Sequence, residues 1–553
     1  MSEIKDGFIL QTELLSVLWK DILSKGMVMN LAYECLEKNV LRIPDRTAVI
    51  DGMTGEAITF TVLNEKANAM ANALQSLGIK EGDRVAIYLP NIPEFIVAFF
   101  ANSKLGAITV PFNTMFKKLE IDYILNNSGA KCLFGAADET AESIIPIWEQ
   151  ISSLEHIISV GTMPDDLKSD KLHDFDDLLT SHGPEFETID LSREAPVSLL
   201  YTSGTTGRPK GALATHANWH AMSRLHAYQV VPMTDEDIVL IGYPFFHVAL
   251  VIGVLPPLYA GGTVLTLKRF FPRDALDLIA RHKVTHFMGA PTMWIYMMEE
   301  YMKNEDEYDI SSLWQGQSAG GPLPAELCKR IADNFGIGIV ECYGATECSS
   351  TVTHSRFRHP TPGSAGWTTP EWEIKITDDL GNELPNGEVG ELCCKGPGVI
   401  KEYWKAPDMT ANKIVEGWWR SGDLAYIERG GHTDGQLYIV DRKDDMVVCG
   451  GYNIYPTEVE GYLVSHPKVL QAIVIGIPDK VKGQIPKAYI VLEPGEHCTE
   501  AEIMDFSRGC MAAYKAPRKV EFVTMEELPQ TASGKILKRE LRAMEEKKTE
   551  QGR

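Results

Sequence analysis

Short apolar runs alternate with segments of helical spacing along most of the chain. Residues 84–88 (RVAIY) and 107–111 (AITVP) are nearly continuous in apolar character, as strands covered on both faces are. Between them, residues 94–105 place apolar side chains at helical spacing. Strand-like runs recur at 197–201, 238–242, 262–267 and 284–288. This rhythm predicts an α/β fold with largely parallel sheets covered by helices. No repeat of fixed period and no low-complexity tract interrupts it.

The pattern breaks at residues 436–451 (QLYIVDRKDDMVVCGG), where an apolar run meets a dense charged cluster and then a glycine pair. Charge changes there too. From Arg442 onward the chain has 17 basic and 17 acidic residues, whereas residues 1–441 have 36 and 59. The boundary predicts a large N-terminal unit, 1–441, of layered α/β subdomains, and a small α+β domain, 442–553, on a hinge.

Composition narrows the function classes. With 553 residues, 44% of them hydrophobic and 23% charged, the chain is neither disordered nor fibrous. A net charge of −23 argues against a dedicated nucleic-acid binder. It leaves anionic small ligands open, because local donors outweigh a distant field. The ten cysteines are scattered without metal-ligand spacing, so reduced thiols in a cytoplasmic protein are expected. No apolar run reaches the ~18 residues of a membrane span.

The strongest local signal is Tyr201-Thr202-Ser203-Gly204-Thr205-Thr206-Gly207-Arg208-Pro209-Lys210-Gly211, directly after an apolar run. Phosphates call for backbone N–H groups, hydroxyl donors and a cation, and glycines let the backbone aim several N–H groups at one point. The string lacks the second glycine and Lys-Ser/Thr pair of a Walker A loop. A second pattern, Gly316-Gln317-Ser318-Ala319-Gly320, fits the hydrolase nucleophile elbow, with Asp423 and His432 following in the required order. Its continuation, Gly321-Pro322-Leu323-Pro324, reads better as a backbone turn open to a flat ring.

Taken with these strings, Tyr343-Gly344-Ala345-Thr346-Glu347, Gly390-Glu391-Leu392, Ser421-Gly422-Asp423-Leu424, Asp441-Arg442 and Pro529-Gln530-Thr531-Ala532-Ser533-Gly534-Lys535 stand in one order. With Leu89-Pro90-Asn91 and Pro111-Phe112-Asn113 upstream, the chain resembles the adenylate-forming enzymes over nearly its whole length. That superfamily includes acyl-CoA synthetases, luciferase-like enzymes and peptide-synthetase adenylation domains. The resemblance implies an AMP-forming acid–CoA ligase using ATP, Mg²⁺ and coenzyme A. A module loading a carrier protein's phosphopantetheine thiol is the alternative. The expected partners are the acid, ATP and CoA, without nucleic acid, and a homodimer is compatible with the sequence.

The resemblance also implies roles. Thr202, Ser203, Gly204, Thr205, Thr206, Gly207 and Lys210 would hold the β- and γ-phosphates; Thr346 would donate to the α-phosphate and Glu347 would ligate Mg²⁺. Gly320, Gly321 and Pro322 would line the adenine, with Glu341, Cys342 and Tyr343 beside it and Asp423 and Arg442 at the ribose. Lys535 would bridge the carboxylate and α-phosphate, Asp444 would be the hinge, and Gly450 and Gly451 would flank the pantetheine arm. Tyr452, Lys482, Tyr514 and Lys515 are weaker candidates for CoA contact.

For the acyl pocket the positions are His247, Val248, Ala249, Gly253, Met288, Ala319, Gly344 and Ser349. Amino-acid-activating relatives carry an aspartate where His247 stands, and acetate-activating ones a tryptophan at Gly344. The positions here are small or apolar and offer no cation for a second carboxylate, which implies a hydrophobic monocarboxylate: a medium-chain, cyclic or aromatic acid.

Overall fold

The computed structural model describes residues 29–551 apart from 165–166, 168, 203–208, 322, 324, 357–360, 362, 450–451, 480 and 532–535. The apolar runs form strands where their pattern places them: Arg84–Tyr88, Ile108–Pro111, Pro196–Thr202, Ile238–Ile241, Thr263–Leu265 and His286–Gly289. Among the described residues these belong to two large sheets. The nine-stranded sheet has a parallel centre, in which Ile238–Ile241 pairs with Thr263–Leu265 and His286–Gly289, followed by Gln315–Ser318 and Gly338–Ala345. The eight-stranded sheet is parallel from Leu172–Asp174 to Pro196–Thr202 and then turns antiparallel at the hairpin Pro196–Thr202/Lys210–Thr215.

The helix Pro93–Leu105 is buried along its length except at Glu94: residues 95–101 are apolar all round, and the last turn buries the polar Asn102, Ser103 and Lys104. Proline at its start fixes a helical φ, and Gly106 ends it in the left-handed region at φ 68°. Phe95, Phe99 and Phe100 have no exposed surface. Truncating one such ring costs roughly 3–5 kcal/mol.

The parallel rhythm stops after residue 345. Residues 373–442 make an antiparallel sheet of Glu373–Thr377, Gly390–Lys395, Trp418–Ile427 and Ile414–Val415, with Leu437–Arg442 alongside. Tight turns replace helical crossovers there. A fourth sheet follows, with Val469–Asp479 and Gly483–Leu492 as its long hairpin and the helices Pro456–Val464, Glu500–Cys510 and Lys538–Gln551 around it. The chain thus has a large α/β N-terminal portion and a smaller C-terminal α+β portion. Leu470, Ile473, Ile475 and Leu528 of the latter join Leu323, Leu327 and Ile331 in one hydrophobic cluster, and Arg330 pairs with Glu493 at 2.7 Å. No described helix is long and apolar enough to cross a membrane.

Candidate active site

Ladder register brings the polar residues together. Asp423 and Arg442 are paired across the strands Trp418–Ile427 and Leu437–Arg442, so both side chains leave the sheet on one face. Arg442 Nε stands 3.4 Å from Asp423 Oδ1, and the Tyr343 hydroxyl donates to Oδ2 at 2.6 Å. Ser421 Oγ accepts from the Asp423 N–H at 2.9 Å and fixes the turn before it. Burial, with the Asp423 carboxylate beside it, pushes the Tyr343 phenol well above its ordinary pKa, so it remains a donor. A carboxylate has about four lone-pair sites, so each Asp423 oxygen can take a further hydroxyl.

Glu347 lies in the short turn Thr346–Cys348 that ends the strand Gly338–Ala345. Its Oε1 accepts from the Tyr403 hydroxyl at 3.2 Å, and Tyr403 in turn accepts from Trp419 Nε1 at 3.2 Å. Burial raises the Glu347 pKa against the opposing pull of the Tyr403 bond and of Arg442 nearby. Segment 400–404 ties this turn to the hairpin. The Ile400 N–H donates to Glu347 O, the Lys401 N–H to Leu213 O, and Tyr403 pairs with Ala212. Thr202 and Lys210 are register partners at the hairpin's end, close to Glu347 through these ties. Ser203, Gly204, Thr205, Thr206 and Gly207 lie outside the described residues, as do Pro322, Gly450, Gly451 and Lys535.

On the adjoining side, Gly320 has φ 86° and open space where a side chain would stand, and an added Cβ at Gly321 meets only Pro291 at 3.9 Å. Beneath this turn, Glu341 accepts from the Leu323 N–H at 3.3 Å, and burial pushes its pKa up to about 8. The same strand carries Cys342, whose thiol burial pushes up to about 12.

Two of the candidate acyl positions, Met288 and Gly253, lie on one wall. Ile241, Met288, Gln317 and Val340 are successive register partners in parallel strands, so their side chains share a face. Gly253 lies against that face, where an added Cβ would stand 3.0 Å from Ile241. Ala319 is pinned by Tyr243, whose hydroxyl accepts from its N–H at 2.9 Å and donates to its C=O at 3.1 Å. Val248 and Ala249 are buried just before the turn Leu250–Val254, and His247 is exposed. Ser349 is buried in the left-handed region at φ 49°. An added Cβ at Gly344 would stand 1.9 Å from Ser350 O. Glycine at 344 is therefore demanded by the close approach of the neighbouring strand, whatever space it leaves for the acyl group.

Two expectations change in weight. Ser318 is wholly buried with its Oγ unpartnered among the described residues, Asp423 is engaged by Tyr343 and Arg442, and His432 stands exposed in a surface turn. The elbow pattern thus assembles no triad. Lys515 pairs with Glu458 at 2.6 Å and Tyr514 stacks on Tyr452, so these residues of the weaker CoA group already have partners. Asp441 holds the Thr457 N–H at 2.9 Å across Asp444.

Sequence reasoning missed Tyr403 and Trp419, which hold Glu347, and gave no role to Asn91. Asn91 Nδ2 donates to Tyr243 O at 2.8 Å and its Oδ1 accepts from the Phe245 N–H at 2.7 Å, so it fixes the segment leading to His247. Leu89-Pro90-Asn91 was the one signal for it. The described residues thus offer a carboxylate with open acceptor sites at Asp423, a buried carboxylate at Glu347 and an apolar face at Ile241, Met288 and Val340.

The comparisons with known proteins agree with this chemistry. The model of the AMP-binding enzyme family matches residues 36–404, and that of the AMP-binding enzyme C-terminal domain residues 458–535. Feruloyl-CoA synthase of Amycolatopsis sp is 35% identical over 504 residues, covering 90% of this chain and 96% of that protein. A long-chain-fatty-acid–CoA ligase of Bacillus subtilis (strain 168) is 32% identical over 536 residues, 92% and 93% covered. Among solved structures, the anthranilate CoA ligase AuaEII with anthranoyl-AMP matches with TM-score 0.86 and 31% identity, covering 94% of this chain and 97% of that one. A benzoate CoA ligase from Burkholderia xenovorans LB400 matches with TM-score 0.83 and 26% identity, 93% and 100% covered. The chain belongs to the AMP-binding enzyme family, the adenylate-forming enzymes that its motifs resemble.

Proposed function

We propose that this protein is an AMP-forming acid–CoA ligase acting on a hydrophobic monocarboxylate. The observation that carries the reading is the Tyr343–Asp423–Arg442 cluster set beside Glu347 at the end of the phosphate-type hairpin. A carboxylate is a poor acyl donor because oxide would have to leave. Its oxygen therefore attacks the α-phosphorus of ATP, pyrophosphate leaves, and the acyl-adenylate carries a good leaving group. The CoA sulfur then attacks the acyl carbon and AMP leaves.

Asp423 accepts from the ribose hydroxyls while Tyr343 and Arg442 hold its carboxylate in place. Thr346 donates toward the α-phosphate, and the hairpin ending at Thr202 and Lys210 receives the outer phosphates. Lys535 neutralises the two anions brought together in the first step, and Asp444 is the hinge that withdraws it for the second. Glu347 fits Mg²⁺ as a single carboxylate, since that ion prefers one or two carboxylates with phosphate oxygens and water. When bound, Mg²⁺ would offset phosphate charge. The boundary at 441/442, the glycines 450 and 451 beside the pantetheine, and a cytoplasmic setting with unpaired thiols belong to the same reading.

The acyl side is Val248, Ala249, Gly253, Met288, Ala319 and Ser349, with His247 at its mouth. Relatives named for feruloyl, long-chain fatty, anthranilate and benzoate substrates support an acid of aryl or aliphatic type. The test is pyrophosphate release over a panel of acids, with thioester and AMP followed after adding free CoA. Pyrophosphate and acyl-CoA from the same acid are expected. Discharge onto carrier proteins but not onto CoA would replace the reading with carrier loading.

A further inference from the structure

A line of buried polar groups runs along the apolar wall and ends on an atom with no partner. The Cys342 thiol is protonated and in reach of Thr351. Its sulfur accepts from Gln317 Nε2 at 3.2 Å, and Gln317 Oε1 lies 3.2 Å from His226 Nε2. Burial holds the His226 imidazole neutral at pH 7, with its pKa near 3. With the Gln317 amide donating to sulfur, its oxygen takes the proton of His226 Nε2, and a neutral ring then has a bare lone pair on Nδ1. His226 is 1% exposed, and its Nδ1 has no hydrogen-bond partner among the described residues. A buried acceptor in an apolar setting costs stability unless a donor meets it.

The position of this line gives it meaning. Gln317 is the register partner of Met288, and Cys342 lies two residues beyond Val340, the register partner of Gln317, so all three side chains share the acyl face. Cys342 also stands four residues before Thr346 in the chain. Three strand residues separate it from Ala345, where the strand ends, at most roughly 10 Å at 3.3 Å per residue, and Thr346 opens the turn beyond. That is within the reach of an extended acyl group whose carboxylate sits at Thr346.

We propose that His226, oriented by Gln317 and Cys342, is a specificity-determining acceptor at the far end of the acyl site, selecting acids with a hydroxyl or N–H donor remote from the carboxylate. The proposal rests on the ligase reading and narrows its substrate class. A site that hydrogen-bonds a substrate hydroxyl rejects the analogue without it far more strongly than an apolar pocket rejects one methylene. Gln317 is a positioning residue here, since it acts through the ring.

The test uses the full chain and acyl-sulfamoyl adenosines, which bind without reacting. Calorimetry compares 4-hydroxycinnamoyl with cinnamoyl and 8-hydroxyoctanoyl with octanoyl. The hydroxylated member of at least one pair is expected to bind about 10- to 100-fold tighter. His226→Phe should bring that ratio close to one, and Gln317→Met should lower it while keeping side-chain volume. A merely structural role for His226 would weaken both members equally and leave the ratio intact. Equal binding within both pairs, or a ratio unchanged in the variants, overturns the proposal. If His226→Phe does not fold, Gln317→Met decides it. Thioester formation from the free acids is followed in parallel. A binding preference without thioester would sink the ligase reading while the acceptor stands.

Discussion

The wall around Asp423 and the junction behind it use the same vocabulary of carboxylates, cations and tyrosines, but their contacts join different things. At the wall, Tyr343, Asp423, Arg442, Glu347, Tyr403 and Trp419 all come from elements before Asp444, and their hydrogen bonds link strands of the large N-terminal portion. At the junction, Asp441 holds the Thr457 N–H, Arg330 pairs with Glu493, and Gln530 lies beside Tyr296, so the contacts cross Asp444. The first set ties its members to one another within the N-terminal portion. The second set must be exchanged if the C-terminal portion serves two half-reactions. Preorganised donors save reorganisation at the moment of reaction, whereas a moving part needs contacts that are individually weak.

The sharpest break in that comparison is expected at Lys535, which the proposed scheme places on the moving side. Lys535→Ala should lower pyrophosphate release at least about 100-fold, the usual scale for losing a charge-stabilising group. Thioester formation from supplied acyl-adenylate should stay within about threefold. Equal loss in both assays would contradict the division of labour. Next comes Asp423→Ala on the fixed side. It strips the Tyr343 hydroxyl and Arg442 of their shared partner, and the ribose of the acceptor proposed for it. kcat/KM for ATP should fall about 10- to 100-fold, the worth of hydrogen bonds to a charged group, and both half-reactions that bind the adenosine should suffer.

The third prediction concerns stability at the wall. Glu341 titrates near 8 in the folded protein, far above an ordinary carboxylate, because burial disfavours its charge. Between about pH 4.5 and 8 the folded state holds a proton that the unfolded state has lost, so this group's contribution to stability falls as pH rises through that window. Glu341→Gln should flatten the pH dependence of denaturant unfolding across that window and be more stable than the parent at pH 8. Parallel profiles for the two proteins would show that Glu341 is not the titrating group.

What was legible in the sequence follows the same divide. Asp423, Glu347 and Thr346 stand in strings that resemble those of the adenylate-forming enzymes, and that resemblance, not their spacing in the chain, is what grouped them ahead of the fold. The runs at 84–88 and 238–242 became strands because continuous apolar character admits few other fates in a covered sheet. The antiparallel sheet of residues 373–442 was not anticipated, since its pairing is set by turns rather than by helical crossovers. Nor was the support of Glu347 by Tyr403, more than fifty residues away in the chain and joined to it through a two-residue strand. Gly344 is the instructive middle case. The residue is where the family pattern puts it, but its immediate cause is the Ser350 carbonyl 1.9 Å from any Cβ, a long-range fact of strand pairing.

The smallest expected effect tests the junction directly. Arg330 and Glu493 are partly exposed and 2.7 Å apart, an arrangement worth at most about 1 kcal/mol. Their pairing nevertheless holds the C-terminal portion against the helix Ala325–Phe335, in the arrangement that also puts Gln530, near the start of the Lys535 string, beside Tyr296. Loosening it should therefore slow the half-reaction that needs Lys535 and spare the other. Arg330→Ala is expected to reduce single-turnover pyrophosphate release about two- to fivefold, with thioester formation from supplied acyl-adenylate unchanged or faster. Glu493→Ala should do the same, and the double variant should be no worse than either single one, because both remove one contact. High salt should shrink the difference between parent and variants, since an exposed pair is screened. Equal slowing of both half-reactions would mean that this contact stabilises the fold as a whole, and the boundary between fixed and moving parts would have to be drawn elsewhere.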